Sequence, residues 1–124
     1  MRIKLMRRAV VTAVVASTAA LTLGAAPAQA APSGCQYGAL CVYWNTGYGG
    51  AQSQFFGSNP SWGAYSIEDD DSSWFNNGTT GKGARIFDNR SHSGGSKCYD
   101  MGDGEGYAVA VDDRGSSNSW PLRC

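Results

Sequence analysis

The sequence predicts an all-β domain. Three observations carry this. Glycine is scattered throughout, with sixteen of the seventeen glycines beyond residue 30, among many Asn, Ser and Asp. Between these turn formers lie short aromatic or β-branched runs: "LCVYWN", "SQFFG", "ARIFDN" and "YAVAV". No stretch of that region shows the 3.6-residue apolar period of a helix. Short runs bounded by turn residues read as strands joined by tight connections.

The first thirty residues stand apart from that domain. Arg2, Lys4, Arg7 and Arg8 form a basic head, an apolar stretch follows, and Ala28-Gln29-Ala30 supplies small residues around a cleavage point. This is the pattern of a secretory signal peptide. No other segment is apolar enough to span a bilayer. Cleavage after Ala30 leaves 31–124 as one domain of 94 residues, with six basic and ten acidic side chains, a net charge of −4. An acidic domain lacks the basic patch that nucleic acid or an anionic membrane requires.

A domain this small buries only about 60–65% of its unfolded surface and is marginal without covalent support. Cys35, Cys41, Cys98 and Cys124 form an even set in an exported chain, so two disulfides are expected. Three pairings are open. Linking Cys35 to Cys41 and Cys98 to Cys124 would close loops of seven and 27 residues, worth roughly 2.4 and 3.6 kcal/mol by chain entropy. Zinc is the weaker use of these thiols, since there is no Cys-x-x-Cys and only one histidine.

The strand pattern repeats at an offset of 44 residues. Tyr43 falls on Phe87, Asn45 on Asn89, Tyr48 on His92, Gly50 on Gly94, Phe55 on Tyr99 and Ala64 on Ala108. Glu68-Asp69 falls on Asp112-Asp113, and Ser72-Ser73 on Ser116-Ser117. The two copies occupy about 35–78 and 79–124. Neither can bury a core alone, so they are expected to pack face to face.

The hairpins "VYWNTGYGG" and "IFDNRSHSGG", with the later stretches "EDDDSS" and "DDRGSS", resemble the paired Greek-key motifs of the βγ-crystallin fold. The opening "CQYGALCVYWNTGYGG" is similar to the secreted bacterial branch, the Streptomyces-type metalloproteinase inhibitor family. The resemblance implies a sandwich of two Greek keys and a non-enzymatic inhibitor, a monomer, whose partner is an extracellular protease. In that family a short disulfide loop stands beside the reactive bond in the C-terminal half. Here the C-terminal cysteines are 26 positions apart, and the segment at Cys98-Tyr99 is the candidate reactive loop.

The acid-serine stretches offer carboxylates, hydroxyls and carbonyls, the hard oxygen donors calcium takes. In calcium-binding relatives the third residue's carbonyl and the fifth residue's hydroxyl ligate. The resemblance therefore implies Asp70 and Ser72 in the first copy and Arg114 and Ser116 in the second. Glu68, Asp69, Asp112 and Asp113 supply charge. The second copy fits the pattern in full, whereas the first carries Glu at position one and Asp71 at position four. So few formal charges imply weak binding, roughly 10⁻⁵–10⁻³ M. The competing reading is that the serines tie their hydroxyls to hairpin backbone and the acids form turns.

Other features are expected to be structural. At least two of Trp44, Trp62, Trp74 and Trp120 are expected in the core, and Tyr37, Tyr43, Tyr48 and Tyr107 are expected to be hairpin and core residues. Tryptophans exposed along one face would instead suit wall polysaccharide. His92 in "RSHSGG" is expected to be solvated, and nothing marks a nucleophile. "GTTGKGAR" lacks the hydroxyl residue a phosphate-binding loop needs after lysine. "DMGDGEG" lacks EF-hand spacing and reads as a turn.

Overall fold

The computed structural model describes residues 29–109 and 111–124. The leader reading therefore falls almost wholly outside the described residues. Seven strands form two antiparallel sheets: β1 (Leu40–Asn45), β2 (Gly49–Phe55), β3 (Ser73–Asn76), β4 (Ala84–Asn89), β5 (Ser93–Tyr99), β6 (Gly104–Glu105) and β7 (Ser117–Ser119). One sheet has the order β2-β1-β3-β6, the other β5-β4-β7. A single 3-10 turn, Thr46–Tyr48, is the one helical element among the described residues.

The 44-residue offset recurs strand by strand. β1, β2 and β3 begin at residues 40, 49 and 73, and β4, β5 and β7 at 84, 93 and 117. Both hairpins carry a register irregularity at the same place, between Tyr43 and Asn45 and between Phe87 and Asn89. Both hairpin loops also need left-handed backbone at twin positions: Gly47 and Ser91 (φ 66° and 59°), Tyr48 and His92 (φ 62° and 53°). One hydroxyl holds each loop. Ser73 Oγ donates to Asn45 O (2.6 Å) and accepts from Tyr48 N (3.0 Å). Ser117 Oγ donates to Asn89 O (2.6 Å) and accepts from His92 N (3.2 Å). A fully buried hydroxyl that meets two main-chain groups offsets the cost of bending the chain into this region.

Each repeat lends a segment to the other's sheet. β6 of the second repeat pairs with β3 of the first, and Asn59 of the first bridges Asn118 in β7 of the second. The repeats are thus interlocked Greek keys.

Alternation along β1 sets the core. Leu40 and Val42 face the other sheet, where they join Phe55, Trp62, Ile67, Trp74, Ile86 and Tyr99. Cys41 and Tyr43 face outward into a second small cluster with Cys35 and Tyr48. Phe55 stacks on Trp62 with ring centroids 4.6 Å apart. Trp62 and Trp74 are fully buried, while Trp44 and Trp120 pack partly buried against the core, so the tryptophans form no exposed strip.

"YAVAV" is not a strand. Its described residues turn instead, with Val111 N donating to Ala108 O at 3.0 Å. Ala108 and Val111 pack on the core while Val109 points out. The apolar alternation was a lid over the core edge rather than a ladder. Tyr37 and Tyr107 are also exposed rather than buried, unlike Tyr43. "DMGDGEG" contributes β6 as well as its turn. His92 is exposed, but its Nε2 lies 2.8 Å from Asn118 O, so the ring is tied to β7.

Candidate functional site

The two acid-serine stretches cross each other. Asp69 N donates to Gly115 O (3.0 Å), and Asp113 N donates to Asp71 O (2.8 Å). These bonds are twins under the 44-residue offset, so the local two-fold axis of the domain runs between them. Asp69 and Asp113 both sit in left-handed backbone, φ 57° and 54°, a region aspartate tolerates better than most side chains.

Asp71 breaks the symmetry. Its carboxyl group is fully buried and lies where its twin, Gly115, has no side chain. Oδ1 accepts from Gly115 N (2.8 Å) and Arg114 N (3.1 Å), and Oδ2 from Trp74 Nε1 (2.6 Å). Burial pushes the Asp71 carboxyl up to about 6, against the lowering effect of those N–H donors. A Cβ at Gly115 would stand 2.5 Å from Asp71 Oδ2 and 2.4 Å from Trp62 Cζ3. An aspartate on one side of the axis therefore requires glycine on the other. The sequence showed Asp71 only as a departure from the motif. What would have marked it is its pairing with a glycine 44 residues on.

The predicted calcium residues divide. Ser116 is buried and its hydroxyl donates to Asp69 Oδ1 at 3.1 Å. Glu68 is held by Arg90 through both carboxylate oxygens, the shortest contact 2.8 Å. Arg114 lies 3.7 Å from Asp88. Asp70 is exposed and Ser72 half-buried. Asp113 has its carboxyl raised by desolvation and by the charges of Asp112 and Asp70, so these three acids share one neighbourhood. Asp112 Oδ1 is buried and has no hydrogen-bond partner among the described residues. No three His, Cys, Asp or Glu side chains among the described residues are placed to hold a metal ion. A cation here would lean on hydroxyl and main-chain oxygens.

The predicted disulfide set is present, as Cys35–Cys41 and Cys98–Cys124. The Cys98-Tyr99 segment, the candidate reactive segment, is the end of strand β5. Tyr99 is 3% exposed, stacks on Trp74 and donates its hydroxyl to Glu105 Oε2 at 3.0 Å. Burial first and Glu105 second hold its phenol well above the usual range. Its ring is part of the core and does not project from the surface. β5 is an edge strand. Asn118 exchanges both of its main-chain bonds with Asn59, so Ile86, opposite Asn118 in register, directs its own toward Lys97. By alternation, the main-chain groups of Ser96 and Cys98 face the open edge.

Comparison with known proteins now adds to this geometry. No curated protein matches the chain. Among solved structures, one described under the evolution of the eye-lens βγ-crystallin domain fold aligns with TM-score 0.64 at 18% identity, covering 73% of this chain and 92% of that one. A βγ-crystallin from Ciona intestinalis aligns at 0.58 and 19%, covering 67% and 99%. A βγ-crystallin domain from Clostridium beijerinckii aligns at 0.56 and 17%, covering 68% and 98%. At such identities these likenesses show the fold, and the fold is that of a βγ-crystallin domain. The profile of peptidase inhibitor family I36 matches residues 28–99, more than half of the sequence. Interlocked Greek keys, two disulfides and this match together place the chain in peptidase inhibitor family I36.

Proposed function

We propose that this domain is exported and blocks an extracellular metallopeptidase, acting as a monomer that presents a rigid, disulfide-supported surface to the cleft. The family match over residues 28–99 carries the reading. The disulfides support export, since such bonds persist in oxidising compartments. The leader-like residues 1–30 agree with it. Rigidity supplies the mechanism: a segment already fixed in its bound shape loses little entropy on docking and is released slowly. The expected result is inhibition of a thermolysin-like metallopeptidase and not of a serine peptidase when each is assayed with a micromolar excess of residues 31–124. Activity of both enzymes unchanged by the protein would sink the reading for those targets.

Calcium binding is a second proposal, favoured by the buried Oδ1 of Asp112, which has no hydrogen-bond partner among the described residues. A carboxylate oxygen removed from water without a donor is costly, and a hard cation would satisfy it. Arg114 through its carbonyl, Ser116, Asp112 and Asp113 would hold it, with Glu68, Asp69, Asp70 and Ser72 in the weaker first copy. With a dissociation constant near 1 mM, about 10 mM calcium should add about 1.4 kcal/mol of stability by mass action. A melting temperature unmoved by calcium relative to magnesium would remove this proposal.

A further inference from the structure

The loop that joins the two repeats is braced at both ends. Asn76 is fully buried. Its Oδ1 accepts from Gly78 N at 2.9 Å, and its Nδ2 donates to Lys82 O at 3.1 Å and to Tyr99 O at 2.9 Å. One amide side chain thus clamps both ends of the loop 78–82. Each disulfide adds to one end. On the incoming side, Asn77 Nδ2 donates to Cys35 O at 3.0 Å and Asn77 N to Ala39 O at 2.9 Å. On the outgoing side, Gly83 N donates to Pro121 O at 3.0 Å. A Cβ at Gly83 would lie only 2.7 Å from Cys124 Sγ and 3.0 Å from Cys98 Sγ. Two bridges far apart in sequence therefore converge on one loop. Its apex, Thr79, Thr80 and Gly81, is exposed.

Hollows flank this loop on both sides and share Gly78 and Thr79 in their walls. One, of about 370 Å³, is lined by Phe56 and Trp120. The other is lined by Tyr37 and Met101, with Gln29 of the leader-like segment also in its wall. Tyr37 is 82% exposed, Phe56 57% and Met101 47%. Among the described residues, Lys82 is the one charged residue in either lining. Aromatic residues and methionine with charge depleted are the composition of the centre of a protein–protein contact. Apolar side chains this exposed around a rigid apex mark a surface that a partner covers.

We infer that the loop 78–82, with the aromatic hollows beside it, is the face that enters the peptidase cleft. This rests on the inhibitor reading, and it moves the contact away from Cys98-Tyr99. Those residues support the loop from below: Tyr99 O receives Asn76 Nδ2, and the Cys98–Cys124 bridge packs under Gly83. Asn76 is a positioning residue in this arrangement. It holds the backbone on either side of the apex, so a cleaved loop would keep its ends in place and religate rather than dissociate.

The test uses residues 31–124 and whichever peptidase the wild type inhibits. Thr80→Asp is expected to raise the inhibition constant about 30-fold or more, the range of a contact hot spot, with the melting temperature unchanged. Ser96→Pro removes an N–H that faces the open edge of β5 and is expected to leave inhibition within about 3-fold, since edge pairing is not the contact. Asn76→Ala is expected to convert the protein into a substrate, cut between Thr79 and Gly83 on long incubation, as located by mass spectrometry. Cleavage at Cys98-Tyr99, or loss of inhibition in Ser96→Pro with Thr80→Asp unaffected, overturns the assignment. A stable dimer of the free protein that protects Phe56 and Tyr37 from solvent also overturns it. A wild type that inhibits neither peptidase removes the inhibitor reading itself, and this inference with it.

Discussion

Raising the pH from about 4 to about 7 is expected to cost the fold stability through one carboxyl group, Asp71. Its pKa in the folded protein is pushed up to about 6 from the ordinary 3.8, because burial penalises the charge more than its N–H donors favour it. The folded state therefore holds this proton more tightly than the unfolded chain. The stabilisation is fully present below the unfolded value and is lost as pH rises through the folded one. Across that window the loss runs at about 1.4 kcal/mol per pH unit and totals about 3 kcal/mol.

Asp71→Asn isolates the effect. The amide keeps the shape, and its oxygen can still accept from Gly115 N and Arg114 N. Its Nδ2 then faces the Trp74 Nε1–H, and that clash of donors costs about 1–3 kcal/mol at every pH. The two proteins should differ in slope: urea midpoints of the wild type should fall relative to the variant between about pH 4 and pH 6. The other carboxyl groups are common to both proteins and cancel in the difference. Parallel curves would show that Asp71 does not titrate in this window.

The second large effect is expected from the long disulfide. Cys98 and Cys124 are 26 positions apart, and opening the bridge in the double variant Cys98→Ala, Cys124→Ala should cost about 3.6 kcal/mol of stability. For a domain this small, that lowers the melting temperature by roughly 15–25 °C. Alanine is the suitable replacement because Cys98 is half-buried beside Gly83 and a hydroxyl there would need a partner. The same change frees the chain from Pro121 onward, which receives Gly83 N. Limited proteolysis of the variant should therefore nick the 78–82 loop before the rest of the domain. A melting temperature within about 5 °C of the wild type would show that the bridge constrains the unfolded chain far less than its loop length implies.

Several features were legible in the residues themselves. "LCVYWN" and "ARIFDN" are β1 and β4 residue for residue, because a strand with one face in the core needs alternation that sequence displays directly. The 44-residue offset located the twin hairpins, since each depends on left-handed positions at Gly47 and Ser91 and on a following Ser73 or Ser117. "YAVAV" misled, because alternation alone does not say whether a ladder partner exists. β7, "SNS", was invisible for the opposite reason: its side chains are polar, and its place in the sheet is set by pairing with β4 and the bridge to Asn59.

The sequence by itself determined the all-β class, the duplicated plan, the cysteine set and the family likeness. Each of these is written in residue type and spacing along the chain. The tertiary structure alone decided which cysteines pair, that Tyr99 lies inside, that Asp71 occupies the two-fold axis opposite Gly115, and that both disulfides brace the loop beside Asn76. Those facts depend on which distant segments meet. In a chain whose repeats lend segments to each other, many contact partners lie more than 20 residues apart, as Asn76 and Tyr99 do at 23 and Asp71 and Gly115 at 44, and no local pattern records them.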